Sequence, residues 1–198
     1  MVGDFVDYSL NNDGTGVIEN IHERKNFISR KAPRIKGAGY RGERLEQKIA
    51  ANIDNLIIVS SVQNPQLNNK TIDRFLITGE SSNVNCVIVI NKIDLDDDNN
   101  YKIFSNLYKQ IGYSVIETSV KENLGINNLK EFLNGKISLV WGQSGVGKSS
   151  LLNSIYPNLN LKIGEISKST NKGKHTTVTS ILIKIDENTF VIDTPGIR

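Results

Sequence analysis

Apolar positions from about residue 47 onward form short, nearly continuous runs, and segments with helical spacing lie between them. Six runs predict β-strands: Ile53–Ser60, Val84–Asn91, Tyr113–Thr118, Ile137–Trp141, Thr179–Ile185 and Phe190–Thr194. Four segments predict helices: Asn69–Ser81, Asn99–Ile111, Asn127–Leu133 and Gly147–Ile155. Apolar strands that alternate with helices are typical of a mostly parallel sheet covered on both faces. The pattern therefore predicts an α/β fold.

The first 30 residues have a different pattern. Val2–Tyr8 and Val17–Ile21 have strand character, and a turn-rich segment, Asn11–Gly16, separates them. Ala32–Gly42 then contains one proline and three glycines among basic residues, which is typical of a linker. We therefore divide the chain into a β segment with its linker, residues 1–45, and an α/β domain, residues 46–198.

Composition excludes several classes of protein. With 38% hydrophobic and 23% charged residues, the 198-residue chain has the composition of a globular protein. A single cysteine excludes an internal disulfide, and one cysteine with two histidines cannot complete a four-ligand zinc site. The apolar runs are far shorter than the roughly 20 residues that a membrane span needs. We expect a cytoplasmic protein without a membrane partner.

Charge is distributed unevenly along the chain. Residues 22–48 contain nine Lys and Arg against three Glu, a net charge of +6, whereas the rest of the chain is net −3. A basic segment of this kind can neutralise RNA phosphates, although a solvated tail would show the same pattern. The candidate RNA contacts are Arg24, Lys25, Arg30, Lys31, Arg34 and Lys36.

The strongest motif is a glycine-rich segment that follows one predicted strand and opens the next predicted helix. Residues 142–149, GQSGVGKS, match the pattern G-x-x-x-x-G-K-[ST] of a phosphate-binding loop. Lys148 would bind the β- and γ-phosphates and act as a catalytic residue, and the Ser149 hydroxyl would ligate Mg²⁺. The predicted nucleotide contacts are Gly142, Gln143, Ser144, Gly145, Val146, Gly147, Lys148, Ser149 and Ser150.

A second motif indicates which base is bound. Asn91, Lys92 and Asp94 lie at the end of an apolar strand in the sequence NKID. The Asp94 carboxylate can accept from N1–H and the 2-amino group of guanine, and adenine offers neither donor. Asn91 can contact the base and hold neighbouring loops, and the Lys92 stem can cover the ring face. The turn formed by Ser119, Val120 and Lys121 follows the next strand and can contact the guanine oxygen.

A third group of residues completes the predicted site. Asp193 ends the last predicted strand and would hold a Mg²⁺-bound water, and the Gly196 N–H would meet the γ-phosphate. The polar segment 164–179 lies where a nucleotide-sensing switch belongs, and Thr177, or Thr176 beside it, would complete the Mg²⁺ shell in the triphosphate state.

The order of the motifs is circularly permuted, because in Ras-like GTPases the phosphate loop comes first and NKxD late. With this order, the chain resembles the circularly permuted ribosome small subunit-dependent GTPase A family, RsgA. The resemblance is carried by Val2–Asp4, Arg24–Asn26, Gln47–Asp54, Gly142–Ser150, Gly173–Thr177 and Asp193–Arg198.

The resemblance implies a circularly permuted P-loop GTPase domain after a partial OB-fold β segment, in a chain that is truncated at both ends. It implies a GTPase that binds GTP and GDP with Mg²⁺, contacts the small ribosomal subunit and its rRNA, and assists maturation of that subunit. We expect a monomer. The family's zinc module would follow residue 198, and its ligands are absent from this chain.

Hydrolysis also needs a residue that positions the attacking water. Ile197 stands where many GTPases carry a water-orienting Gln, so His175 in the switch segment is the catalytic candidate. A structural role or an RNA contact would also account for His175. At the level of the whole protein, the alternatives are a permuted GTPase that acts on another RNA particle, or a truncated nucleotide- or RNA-binding protein without turnover.

Overall fold

The computed structural model describes residues 1–31, 46–161 and 180–194. Near the N-terminus, β1 (Val6–Leu10) and β2 (Gly16–Ile21) form an antiparallel hairpin. Next, β3 (Phe27–Lys31) pairs antiparallel with β4 (Glu46–Ala51). The following elements are β5 (Asn55–Ser61), α1 (Asn69–Ser81), β6 (Asn85–Asn91), α2 (Tyr101–Gln110), β7 (Ser114–Thr118), α3 (Ile126–Leu133), β8 (Ile137–Gly142), α4 (Lys148–Ile155), β9 (Ile181–Lys184) and β10 (Phe190–Asp193).

Strands β5 to β10 form one six-stranded sheet with the order β7-β6-β5-β8-β10-β9. All neighbouring pairs are parallel except β9 and β10, which are antiparallel. The predicted α/β fold with a mostly parallel sheet is therefore confirmed. Because parallel strands point the same way, the loops that follow β5, β6, β7, β8 and β10 all open at one edge of the sheet.

The central strands β5, β6, β8 and β10 are buried on both faces of the sheet, which explains why they are largely apolar. In β5, Leu56 and Ile58 face α1, α2 and the β3–β4 pair, whereas Ile57 and Val59 face α3 and α4. Helix α1 approaches the sheet closely at Gly79, where an added Cβ would lie 2.2 Å from the Cys86 Sγ atom.

The N-terminal segment is tied to the sheet through polar contacts. Asn26 exchanges two hydrogen bonds of 2.8 Å with the backbone of Ile53. Lys25 donates to Asp54, and the second Asp54 oxygen accepts from the N–H of Ile137, the first residue of β8. These contacts join the family motifs near residues 24 and 54 at the edge of the sheet opposite the phosphate loop.

One expectation from the sequence was wrong in detail. The first strand begins at Val6 and not at Val2, because the Val2 carbonyl accepts a hydrogen bond from the N–H of Ala51. The sequence pattern did not predict β4, which follows the linker and pairs with β3 and not with the large sheet. Among the described helices, none is both long enough and apolar enough to cross a lipid bilayer.

Candidate nucleotide-binding site

The glycine-rich loop connects β8 to α4 with the geometry that its sequence predicts. Gly145 and Gly147 have positive φ angles of +84° and +98°, which L-residues with a Cβ adopt only with strain. At Gly142, an added Cβ would lie 2.3 Å from the Val59 carbonyl oxygen. The loop therefore depends on glycine both for its conformation and for close packing against β5.

Lys148 opens α4 and is 9% exposed. Its ammonium donates to the carbonyl oxygens of Gly142 and Gln143 at 2.9 and 3.0 Å. Burial lowers the pKa of Lys148, and the charge of Asp193 opposes that shift. These contacts hold a desolvated cation inside the loop, where it can bind a phosphate.

Asp193 ends β10 beside this loop. Its Oδ1 atom is buried and has no hydrogen-bond partner within the part of the chain that the structure describes. Burial raises the pKa of the Asp193 carboxyl, and the charge of Lys148 opposes the shift. An unsatisfied, buried carboxylate oxygen beside the phosphate loop is a ligand that fits a Mg²⁺ ion or its water shell. In the described ranges, no group of three or more His, Cys, Asp or Glu side chains could hold a metal ion on its own.

Asn91 joins three segments of the site. It is 2% exposed at the end of β6, and its Nδ2 donates to the Val146 carbonyl of the phosphate loop at 2.9 Å. Its Oδ1 accepts from the Thr118 hydroxyl at the end of β7, at 3.1 Å. The NKID motif and the phosphate loop are therefore connected directly, although they are 55 residues apart.

Lys92 has a left-handed backbone, with φ of +61°, and starts the short 3₁₀ turn Ile93–Leu95. Its ammonium donates to the carbonyl of Gly145 at 2.7 Å and to the carbonyl of Asn64. Burial lowers the pKa of Lys92, and the charge of Asp94 opposes that shift. The side chain thus spans the space between the NKID motif and the phosphate loop.

Asp94 is oriented by Ser119. The Ser119 hydroxyl donates to Asp94 Oδ1 at 2.6 Å and accepts from the N–H of Glu122 at 3.1 Å. From the sequence we expected the backbone turn of Ser119, Val120 and Lys121 to contact the guanine oxygen. The side-chain role of Ser119 was missed, and its position directly after a strand end was the available signal.

The structure brings together Asn91, Lys92, Asp94, Ser119, the phosphate loop and Asp193 at one edge of the sheet. Four predicted site residues, His175, Thr176, Thr177 and Gly196, lie outside the described residues. Sequence reasoning also missed the turn between β5 and α1, whose Gln63 and Asn64 contact the NKID segment.

The candidate RNA contacts differ in their surroundings. Arg24 forms two hydrogen bonds with Asp4, at 2.6 and 2.9 Å, and Lys25 pairs with Asp54. Arg30 donates to Gln47 at 3.1 Å. The Lys31 side chain, Arg34 and Lys36 lie outside the described residues. Of the three candidates whose side chains the structure describes, Arg24 and Lys25 therefore already have carboxylate partners within the chain.

Chain order and spatial order differ at this site. The strands that carry the guanine motifs, β6 and β7, precede the phosphate-loop strand β8 in the sequence. All three lie in the same parallel sheet and end at the same edge. A permuted chain can build the same site because sheet packing does not depend on where the chain begins.

Comparisons with known proteins agree with this geometry. A family model described as RsgA GTPase matches residues 21–198. Small ribosomal subunit biogenesis GTPase RsgA from Thermotoga maritima is 41% identical over 198 residues, which cover 98% of this chain and 61% of that protein. The protein of the same name from Phocaeicola vulgatus is 40% identical over 200 residues and is covered to 62%. The chain thus spans about three-fifths of the length of these relatives.

Two solved structures share the fold. The crystal structure of YjeQ from Thermotoga maritima superposes with a TM-score of 0.71 at 36% identity, over 98% of this chain and 60% of that one. The structure of YloQ, a circularly permuted GTPase, gives a TM-score of 0.63 at 30% identity, over 98% and 56% of the two chains. With a permuted GTPase fold and a family match over most of its length, the chain belongs to the RsgA GTPase family.

Proposed function

We propose that this chain binds GTP and GDP with Mg²⁺, hydrolyses GTP and takes part in maturation of the small ribosomal subunit. One observation carries the nucleotide assignment: the Asn91 amide donates to the phosphate-loop carbonyl of Val146, next to an Asp94 that Ser119 orients. A guanine-reading carboxylate and a phosphate loop are thus joined in one site. Adenine would leave the Asp94 acceptors without donors, so the site favours guanine.

Residues of this chain would position the triphosphate and stabilise its charge. Lys148 would exchange its carbonyl contacts for phosphate oxygens, and the N-terminus of α4 would add the favourable end of its dipole. Ser149, Thr177 and Asp193 would hold Mg²⁺, which neutralises phosphate charge when it is bound. His175 would orient the attacking water, because Ile197 has no polar group to do so.

The ribosomal part of the proposal is supported by the names of the relatives and by charge. Small ribosomal subunit biogenesis GTPases align over nearly the whole chain. Residues 1–23 contain five acidic groups and no Lys or Arg, so phosphates would be repelled from the β1–β2 hairpin. We therefore place the rRNA contact on the basic segment, with Arg30, Lys31, Arg34 and Lys36 as the cations that could act there.

We further propose that residues 1–45 form a partial OB-fold segment, that residues 46–198 form the GTPase domain, and that the protein is a cytoplasmic monomer.

Binding of a fluorescent GDP analogue, with unlabelled GDP and ATP as competitors, tests the nucleotide assignment. GDP should displace the analogue and ATP should not. Lys148→Ala should abolish tight binding, because the phosphates lose their main buried cation. Lys130→Ala, which removes an exposed lysine of α3 outside the site, is the matched control. Equal binding by the Lys148 variant and wild type would contradict the assignment.

GTP hydrolysis with purified ribosomal subunits tests the partner. We expect faster turnover with small subunits than with large subunits or with none. Stimulation by large subunits alone would favour a GTPase of another RNA particle. Guanine-nucleotide binding without turnover under any of these conditions would instead favour a nucleotide-binding protein that does not hydrolyse GTP.

A further inference from the structure

We infer that the turn at the end of β5, residues 61–65, is a third wall of the guanine-nucleotide site, and that Gln63 is a positioning residue for guanine recognition. The inference rests on the proposed function. This segment, called the bridging turn below, lies outside the motifs that identify the site.

The bridging turn has a defined structure of its own. The Ser61 hydroxyl donates to the Pro65 carbonyl at 2.7 Å and closes the turn. The Val62 N–H donates to the Asn91 carbonyl at 3.0 Å, which fixes the turn to the first residue of the NKID motif. Ser61 and Val62 are buried, whereas Gln63 and Asn64 are exposed. The turn thus has a buried, hydrogen-bonded base and two exposed residues.

Those residues contact both halves of the nucleotide site. The Lys92 ammonium donates to the Asn64 carbonyl and, at 2.7 Å, to the Gly145 carbonyl of the phosphate loop. A Cβ added to Gly145 would lie 3.6 Å from the Pro65 Cδ atom, so the turn lies close to the phosphate loop. Lys92 therefore connects three segments, and the bridging turn is one of them.

Gln63 adds a contact on the guanine side. Its Nε2 donates to the Leu95 carbonyl at 2.8 Å, one residue after Asp94. The Leu95 N–H itself donates to the Lys92 carbonyl at 3.0 Å, so the 3₁₀ turn that contains Asp94 is held at its end by Gln63. Ser119 holds the Asp94 carboxylate, and Gln63 holds the backbone that carries it. Loss of Gln63 would let this backbone shift while the fold stays intact.

The test measures affinity for GDP and for inosine diphosphate, which lacks the 2-amino group, in wild type, Gln63→Met and Gln63→Ala. Both variants remove the amide donor, and Met keeps most of the side-chain volume. GDP affinity should fall about fivefold, the effect of losing one hydrogen bond, here the bond between Asp94 and the 2-amino group of guanine. Inosine diphosphate affinity should fall less than twofold, because only one of its base groups depends on the placement of Asp94. The ratio of GDP affinity to inosine diphosphate affinity should therefore decrease.

Gln66→Met is the matched control. Gln66 is an exposed glutamine just beyond the bridging turn, and its side chain forms no hydrogen bond within the described ranges. This variant should keep the wild-type ratio and both affinities. Melting temperatures of all variants should stay within about 2 °C of wild type, because an exposed hydrogen bond contributes little to stability.

The possible outcomes distinguish a failure of the role of Gln63 from a failure of the proposed function. The positioning role is supported if the ratio of GDP affinity to inosine diphosphate affinity decreases in both Gln63 variants and stays at the wild-type value in Gln66→Met. An unchanged ratio, or the same change in the Gln66 variant, overturns it while the proposed function stands. Wild-type protein that binds neither diphosphate overturns the proposed function, and the role of Gln63 with it.

Discussion

Replacement of Gly147 by alanine should damage the site through one steric contact. A Cβ at this position would lie 2.4 Å from Asn91 Nδ2. Ordinary contacts begin near 3.4 Å, so the Asn91 amide must move by about 1 Å. That movement breaks its hydrogen bonds to Val146 and from Thr118, both of which are buried. At about 1 kcal/mol for each hydrogen bond, the expected loss in the free energy of unfolding is about 2 kcal/mol.

Backbone strain adds to this loss and must be measured separately. Gly147 has φ of +98°, and alanine in a left-handed conformation costs roughly 1–2 kcal/mol. Gly112, two residues after the end of α2, has almost the same φ, +101°, and an added Cβ there would have no atom within 4 Å. Gly112→Ala therefore carries the strain and the change in chain entropy without the clash. The difference between the two variants isolates the contact with Asn91.

Urea unfolding without nucleotide measures both variants. Trp141 is the only tryptophan, is 3% exposed and stacks on Phe75 of α1 with ring centres 4.8 Å apart, so its fluorescence reports the packing of β8. Gly147→Ala should lose about 2 kcal/mol more than Gly112→Ala and should also bind GDP more weakly. Equal losses of stability, with GDP affinity unchanged, would refute the role assigned to Asn91.

Three further outcomes are expected. In Asp94→Asn, the Ser119 hydroxyl should keep its hydrogen bond to the side-chain oxygen, so that the new NH₂ group faces the donors of the base. In a competition assay, GTP affinity should therefore fall at least tenfold and xanthosine triphosphate should become the better ligand. Unchanged GTP affinity would show that Asp94 is not part of the site. Arg24 holds the pKa of Asp4 well below its ordinary value of 3.8, so the pair stabilises the fold above that pH and the contribution is lost as the pH falls through the lowered pKa. Asp4→Asn should therefore cost about 2 kcal/mol at pH 7 and much less at pH 2, and a cost independent of pH in denaturation curves would contradict the ion pair. His175→Ala should leave GTP affinity within about threefold and lower subunit-stimulated hydrolysis by about 10²-fold, whereas a stimulated rate equal to wild type would exclude His175 as the water-positioning group.

The sequence alone determined the elements whose pattern is local. Helix α1 was predicted over Asn69–Ser81 and lies there, because its apolar spacing places Ile72, Phe75, Leu76 and Gly79 on one face against the sheet. The central strands were located within two residues of their observed ends, because a strand buried on both faces must be apolar throughout. Phosphate binding by the loop and guanine recognition by NKID could also be predicted from the sequence, because both depend on residue types at short, fixed spacing.

Only the tertiary structure decided which distant residues meet. Arg24 and Lys25 looked like free cations in a basic segment, yet each is paired with an aspartate 20 or 29 residues away. Lys92 reaches the phosphate loop 53 residues later in the chain, and Gln63 reaches Leu95 across 32 residues. A local pattern carries periodicity and residue type, but not the partner that chain packing brings within 3 Å. The polar contacts that position Asp94 therefore become visible only when the parallel strands place their loops at one edge.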